Sequence, residues 1–170
     1  MRQARVDWYC EPGLTAGSTS PIGRIVDDIG VRALFRGAIA HDDAMAMREG
    51  VEEMLGLSDG GGLSAGQEYL LRHPDYVMEM PQSNERIRGR DAMRAMQEGF
   101  PTPPQVRLRR VIGSGQTWVI EGVNDYGGDV WNVVLILEPD QDGLILRDTR
   151  YYGRHSDPPE WRSRWVEPIE

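Results

Sequence analysis

Met78-Glu79-Met80-Pro81-Gln82-Ser83-Asn84-Glu85-Arg86-Ile87-Arg88-Gly89-Arg90-Asp91-Ala92-Met93 reads as the end of a strand, a hairpin, and a helix opened by glycine. Tyr76 to Met80 supplies the strand, and Asp91 to about Glu98 the helix, with Met93 and Met96 on one face. This succession is a mark of fold and carries no chemistry of its own.

Downstream, three long strand-like runs follow: Gln105 to Ile112, Gln116 to Asn124 and Val130 to Glu138. Gly113-Ser114-Gly115 separates the first pair, and a segment with Gly127-Gly128 the second, both at hairpin length. A last strand is expected from Leu144 to Tyr152 after the Asp142-Gly143 turn, so the sequence predicts an antiparallel meander. Upstream, Met47, Val51, Met54 and Leu55 fall on one stripe of a helix spanning about Ala40 to Leu55. Asp59-Gly60-Gly61-Gly62 should end it, since consecutive glycines lose much entropy in a helix. Ser64 and Gln67 have capping-box spacing for a second, short helix through Leu71. Residues 1–30 show neither helical nor strand periodicity, and the division predicted is an irregular arm over 1–39 outside the core, followed by one domain over 40–170. Asp157-Pro158-Pro159-Glu160 resembles a helix start, with Trp161 and Trp165 one turn apart and expected to dock on the body or on a partner subunit.

The 170 residues can build one core, and 39% hydrophobic with 27% charged residues is ordinary for a globular protein. No apolar run approaches the roughly 20 residues of a membrane-crossing helix, so no membrane association is expected. A net charge of -8 opposes phosphate backbones, and Arg107 and Arg109 alternate with Val106 and Leu108 as on a solvated strand face. Nucleic-acid binding is therefore not expected. The single Cys10 cannot form an internal disulfide, no Cys/His spacing suits zinc, and no secretory leader pattern is present. The expectation is a cytoplasmic protein without metal or cofactor.

The order helix, short helix, strand, hairpin, helix and antiparallel meander resembles the cone-shaped nuclear transport factor 2-like fold, in its SnoaL-like and ketosteroid isomerase-like branch. Pro81-Gln82-Ser83, Glu85-Arg86-Ile87-Arg88-Gly89, Val119-Ile120-Glu121-Gly122, Asp142-Gly143-Leu144-Ile145, Arg150-Tyr151-Tyr152 and Pro159-Glu160-Trp161-Arg162 carry the resemblance, over about residues 40 to 167. It implies an α+β domain in which helices and a strongly bent antiparallel sheet enclose a pocket. A homodimer through the outer sheet face is expected with it. The Tyr and Asp placement of ketosteroid isomerases, and the Asp-Arg-Asp set of limonene epoxide hydrolases, have no aligned counterpart here.

In such a pocket, polar residues that interrupt apolar rows are the candidates for chemistry. Glu121 shares a strand face with Val119 and Val123, and Asp148 follows Leu144 and Leu146 at alternate positions. Either acid, desolvated, could take a proton beside a carbonyl; either could instead pair with Arg109, Arg147 or Arg150 across strands. Asn132 among Val130, Val134 and Ile136 could orient a ligand carbonyl, as could Tyr69. Met78, Met80, Met93 and Met96, with Trp118 or Trp131, offer an adaptable apolar lining or an ordinary core. The function expected is a cofactor-independent isomerase, cyclase or lyase acting on a small hydrophobic carbonyl compound, with Asp148 and Glu121 catalytic. The alternative is a non-catalytic binding or assembly protein of the same fold.

Overall fold

Alternating apolar positions in the second half of the chain are resolved by a single six-stranded sheet that the helices cover on one face. The structure, a computed structural model, describes residues 21–58, 61–100 and 102–169. The elements are α1 (Pro21–His41), α2 (Ala44–Leu55), α3 (Ala65–Leu71), β1 (Arg72–Met80), β2 (Glu85–Arg88), α4 (Arg90–Glu98), β3 (Gln105–Ser114), β4 (Thr117–Asp125), β5 (Val130–Pro139) and β6 (Ile145–Arg154), then a 3₁₀ helix at Glu160–Trp165. The sheet order is β2-β1-β6-β5-β4-β3. β3 to β6 form the expected antiparallel meander, but β1 joins β6 in parallel, so the sheet is mixed. The chain reaches that parallel pairing through β2, α4 and the whole meander, a long crossover that local periodicity does not reveal.

Register sorts the inner face into rows. Trp118, Leu137, Asp148, Met78 and Ile87 lie side by side across β4, β5, β6, β1 and β2. The next rows are Ile120, Leu135 and Arg150, then Gly122, Val133 and Tyr152, then Asn124, Trp131 and Arg154. At the Trp118 end the helices close the face: Phe35, Met47, Val51, Met93, Trp118, Met78 and Leu137 form one buried core. Toward the Trp131 end, Val133, Tyr152, Asn124 and Trp131 are only half-buried and Arg154 is exposed. Register shifts that leave Arg109 unpaired in β3 and Leu146 unpaired in β6 fit a bent sheet, because a bulge bends its strand and adds twist. Among the described residues, the cone is thus packed at one end and less covered at the other.

Three local expectations change. The arm predicted over 1–39 becomes helix α1 from Pro21, and Val31, Phe35 and Ala38 are fully buried in the core. Positions 31, 35 and 38 are helically spaced, but Pro21, Gly23, Gly30 and Gly37 obscure the pattern; residues 1–20 lie outside the described residues. On α2 the buried stripe is Met47, Gly50, Val51 and Met54, whereas Leu55 is exposed, one residue or about 100° further round the helix. Helix α2 ends at Gly56 in the left-handed region (φ 71°), ahead of the glycine run of which Asp59 and Gly60 lie outside the described residues. Trp161 and Trp165 do not dock on the body, being 73% and 65% exposed on the single chain; the partner-subunit alternative is untouched by this. The Ser64–Gln67 capping box forms as read, with both reciprocal hydrogen bonds.

Because the Phe35 ring is fully buried against the α2 side of the core, Phe35→Ala should cost about 3–5 kcal/mol. Urea unfolding followed by far-UV circular dichroism checks this; a loss under about 1 kcal/mol would mean that α1 is not part of the cooperative unit.

Candidate functional site

Where the packed end of the cone gives way to the open end, the inner face carries one buried acid. Asp148 occupies the Trp118–Leu137–Met78 row and is 2% exposed. Its carboxylate accepts three hydrogen bonds. Tyr76 Oη donates to Oδ2 at 2.5 Å, while Arg150 Nε donates to Oδ1 and Arg150 Nη2 to Oδ2, each at 2.9 Å. Two-residue spacing on β6 places Asp148 and Arg150 on the same face, so this bidentate contact runs along a single strand. Tyr76 reaches the acid from the neighbouring strand β1. Arg150 is the accessible member, with 23% of its side chain exposed, and its Nη1 makes neither contact to Asp148.

A second buried cation supports the first group. Arg72, at the α3–β1 junction, lies over the Tyr76 ring at 5.2 Å. It pairs with Glu68 and donates from Nη1 to Gln97 Oε1 at 3.0 Å, and Gln97 Nε2 donates to Glu68 at 2.8 Å. Gln97 is on α4, so these bonds tie that helix to the strand bearing Tyr76. Arg72 Nε is buried without a hydrogen-bond partner. Burial, and then the Asp148 charge, push the Tyr76 phenol well above its ordinary range, which keeps it a neutral donor. For Arg150, burial works against the charge, but the adjoining Asp148 carboxylate outweighs it and holds the guanidinium well above its usual value.

The residues singled out from sequence divide between the two sheet faces and the core. Asp148, Met78 and Met80 are together on the inner face, with Met93 and Met96 on α4 above; Met78 and Met93 are wholly core, Met80 and Met96 partly so. Glu121 is on the outer face, where it pairs with Arg110 at 2.7 Å and Arg109 at 3.8 Å; the ion-paired alternative is the one found, and it is not an acid of the pocket. Asn132 is also outward and exposed, opposite Val123. Both misplacements have one cause: which face of a strand is buried depends on register, and a one-residue shift exchanges the faces. Trp118 is a fully buried plug, its Nε1 donating to Gly115 O at 2.8 Å, and so forms core in place of ligand contact. Tyr69, on α3, faces α4, with Arg90 at 4.3 Å and the half-exposed Arg94 at 5.8 Å from its ring centre. His41-Asp42-Asp43 forms a capped helix start: Asp43 accepts from Met45 N and Ala46 N, and Asp42 from Gly115 N. Sequence reading missed Tyr76, Arg72 and the role of Arg150. The alternation Tyr76-Met78-Met80 beside Asp148-Arg150-Tyr152 was the available signal, but the parallel pairing that joins those two strands was not.

A surface depression of about 380 Å³, lined by Glu79, Pro81, Asn84, Glu85 and Arg86, follows the β1–β2 hairpin. It includes no member of the Asp148 cluster and its walls are mostly exposed, so the inner face is the better candidate.

No family model matches the chain, and no curated protein matches it. Solved structures do. An NTF2-like protein of unknown function from Burkholderia xenovorans LB400 is 26% identical, with 86% of this chain and 98% of that one covered and a TM-score of 0.57. A ketosteroid isomerase candidate from Kribbella flavida DSM 17836 is 24% identical, covering 85% and 93%, with a TM-score of 0.61. The chain belongs to the nuclear transport factor 2-like superfamily. This nuclear transport factor 2-like chain has 19 basic side chains, all of them arginine, so within these 170 residues no lysine can form a Schiff base with a carbonyl substrate. Among the described residues, no helix is long and apolar enough to cross a membrane.

The Tyr76 phenol gives a signed pH dependence. Its folded-state value lies above the ordinary value of about 10, so the native state binds the proton more tightly and stability falls as pH rises past about 10. Wild type should lose up to about 1.4 kcal/mol per pH unit there relative to Tyr76→Phe, which lacks the ionising group. Denaturant titrations of both proteins from pH 8 to 11.5 check it; parallel curves would remove the burial of Tyr76 from the account.

Proposed function

We propose that this protein is a SnoaL-like pocket protein that takes a small hydrophobic carbonyl compound into the open half of the cone, without a cofactor, and exchanges a proton with it. The observation that carries this reading is the buried Asp148–Arg150–Tyr76 cluster at the boundary between the packed and open halves. Leu135 and Val133, with Met80, Met96 and Leu108, provide an apolar surround for the ligand body. Arg150 would face the carbonyl oxygen and stabilise charge developing there. Asp148 would remove a proton from the adjacent carbon and return it at the same or a neighbouring atom, which is the isomerase, cyclase or lyase step in its simplest form. Tyr76 would support the carboxylate from the rear.

One observation favours a second reading, binding without turnover. Asp148 is almost wholly shielded and already accepts three hydrogen bonds, so a base role requires the carboxylate to give one up. Deuterium exchange separates the two. Hydrophobic methyl and methylene ketones incubated with the protein in D₂O should show α-proton loss by NMR above the protein-free rate. That rate should fall about 10²–10⁴-fold in Asp148→Asn. Saturable binding with no exchange in any ketone would establish the binding reading instead.

The outer sheet face supports the homodimer proposal. Ile112, Val119, Ile136 and Val134 make an apolar band with Tyr151, flanked by Arg110–Glu121 and Arg147–Glu79 ion pairs. Sedimentation should give twice the 19.2 kDa chain mass, and Ile136→Glu should halve it. A wild-type monomer at all concentrations would contradict this. A single cysteine fits residence in the cytoplasm.

A further inference from the structure

The charges around the cone interior balance, which bears on what the pocket accepts. Arg150 is matched by Asp148, its contacts bidentate at 2.9 Å. Arg72 is matched by Glu68. At the open rim, Arg154 lies 4.5 Å over the Trp131 ring and is matched by Asp129 at 2.7 Å. Arg90, which stacks on Tyr69 at 4.3 Å and donates to the Arg72 carbonyl, is on the α3–α4 side and not in the rows that face the hollow. Among the described residues, the inner rows therefore present donors without a surplus positive charge.

We propose that Asp148 sets the charge preference of the hollow, so that the site takes an uncharged carbonyl compound and rejects the corresponding carboxylate. A neutral carbonyl needs only a donor such as Arg150 Nη1, and an Arg–Asp pair can supply it. A carboxylate entering the same space gives up its hydration, which is costly, and meets a guanidinium whose field the Asp148 carboxylate already cancels. It also brings a second negative charge close to Asp148. Removing the Asp148 charge should reverse the preference, because Arg150 would then be an uncompensated cation beside an apolar cavity. This inference rests on the proposed location of the ligand in the open half of the cone, and it adds the ligand's charge class and the residue that selects it.

The test uses the full chain and two compounds of nearly equal shape, 2-acetylnaphthalene and 2-naphthoate, titrated by calorimetry near neutral pH. Wild type should bind the ketone at least tenfold more tightly than the carboxylate. Asp148→Asn should bind naphthoate at least tenfold more tightly than wild type does. Naphthoate binding to wild type as well as the ketone does would overturn the proposal. So would a folded Asp148→Asn protein with no gain for naphthoate. Because that variant leaves the half-buried Arg150 guanidinium without its carboxylate and its folding is at risk, the wild-type comparison stands as a decisive measurement without it. Val133→Trp, at a half-buried position in the hollow, tests the location separately: ketone binding should be lost while the fold is retained. Ketone binding that survives in Val133→Trp, or neither compound binding wild type, would remove the pocket reading itself and the charge preference with it.

Discussion

A carboxylate shut away from water has to be fully partnered, and the three hydrogen bonds to Asp148 are the constraint on which the inner face of this protein depends. The requirement reaches across the fold. It draws Tyr76 on β1 to β6, and it fixes the Arg150 guanidinium along its own strand. Behind it, Arg72 lies over the Tyr76 ring. The β1–β6 pairing, the only parallel contact in the described sheet, is what makes this convergence possible. A wholly antiparallel meander would have left Tyr76 and Asp148 without a shared strand boundary.

The division of the cone into a packed and an open end follows from side-chain volume along the rows. Near Trp118 the inner positions are Trp, Leu and Met, and the helices contribute Phe35, Met47, Val51 and Met93, so the space is filled. Two rows further along, Gly122 leaves one position without a side chain, and its absent Cβ would stand 3.0 Å from the Arg107 carbonyl oxygen. Close approach of β3 thus favours glycine there. Asp148 and Arg150 belong to the two rows at the transition, which sets polar groups among apolar neighbours while keeping the acid buried. Such an arrangement holds a ligand by a few directed bonds in a largely hydrophobic setting.

The sequence made much of this scaffold legible, and the reasons for the exceptions are physical. Capping at Ser64–Gln67, the glycine-opened helix α4 and the four strands β3 to β6 are local features, each determined by residues within a few positions of one another. Asp148 was identifiable because an acid interrupts an apolar alternation. Glu121 and Asn132 satisfied the same criterion and proved to be outward, since parity along a strand does not say which face the helices will cover. Helix α1 was hidden by a proline and several glycines, although Phe35 is among the most buried side chains present. Arg72 and Tyr76 carried no local sign of their roles, as these arise from contacts with residues between 4 and 72 positions away.

On the proposed reading, Asp148, Tyr76 and Arg150 floor a hollow left unfilled by the protein's own side chains. A crystal structure with 2-acetylnaphthalene soaked in tests it most directly. Ligand density is expected between Leu108, Val133 and Tyr152, with the carbonyl oxygen within hydrogen-bond distance of the Arg150 guanidinium and Asp148 still bonded to Tyr76. Protein side chains packed through that space, or an Asp148 carboxylate turned to bulk solvent, would contradict it.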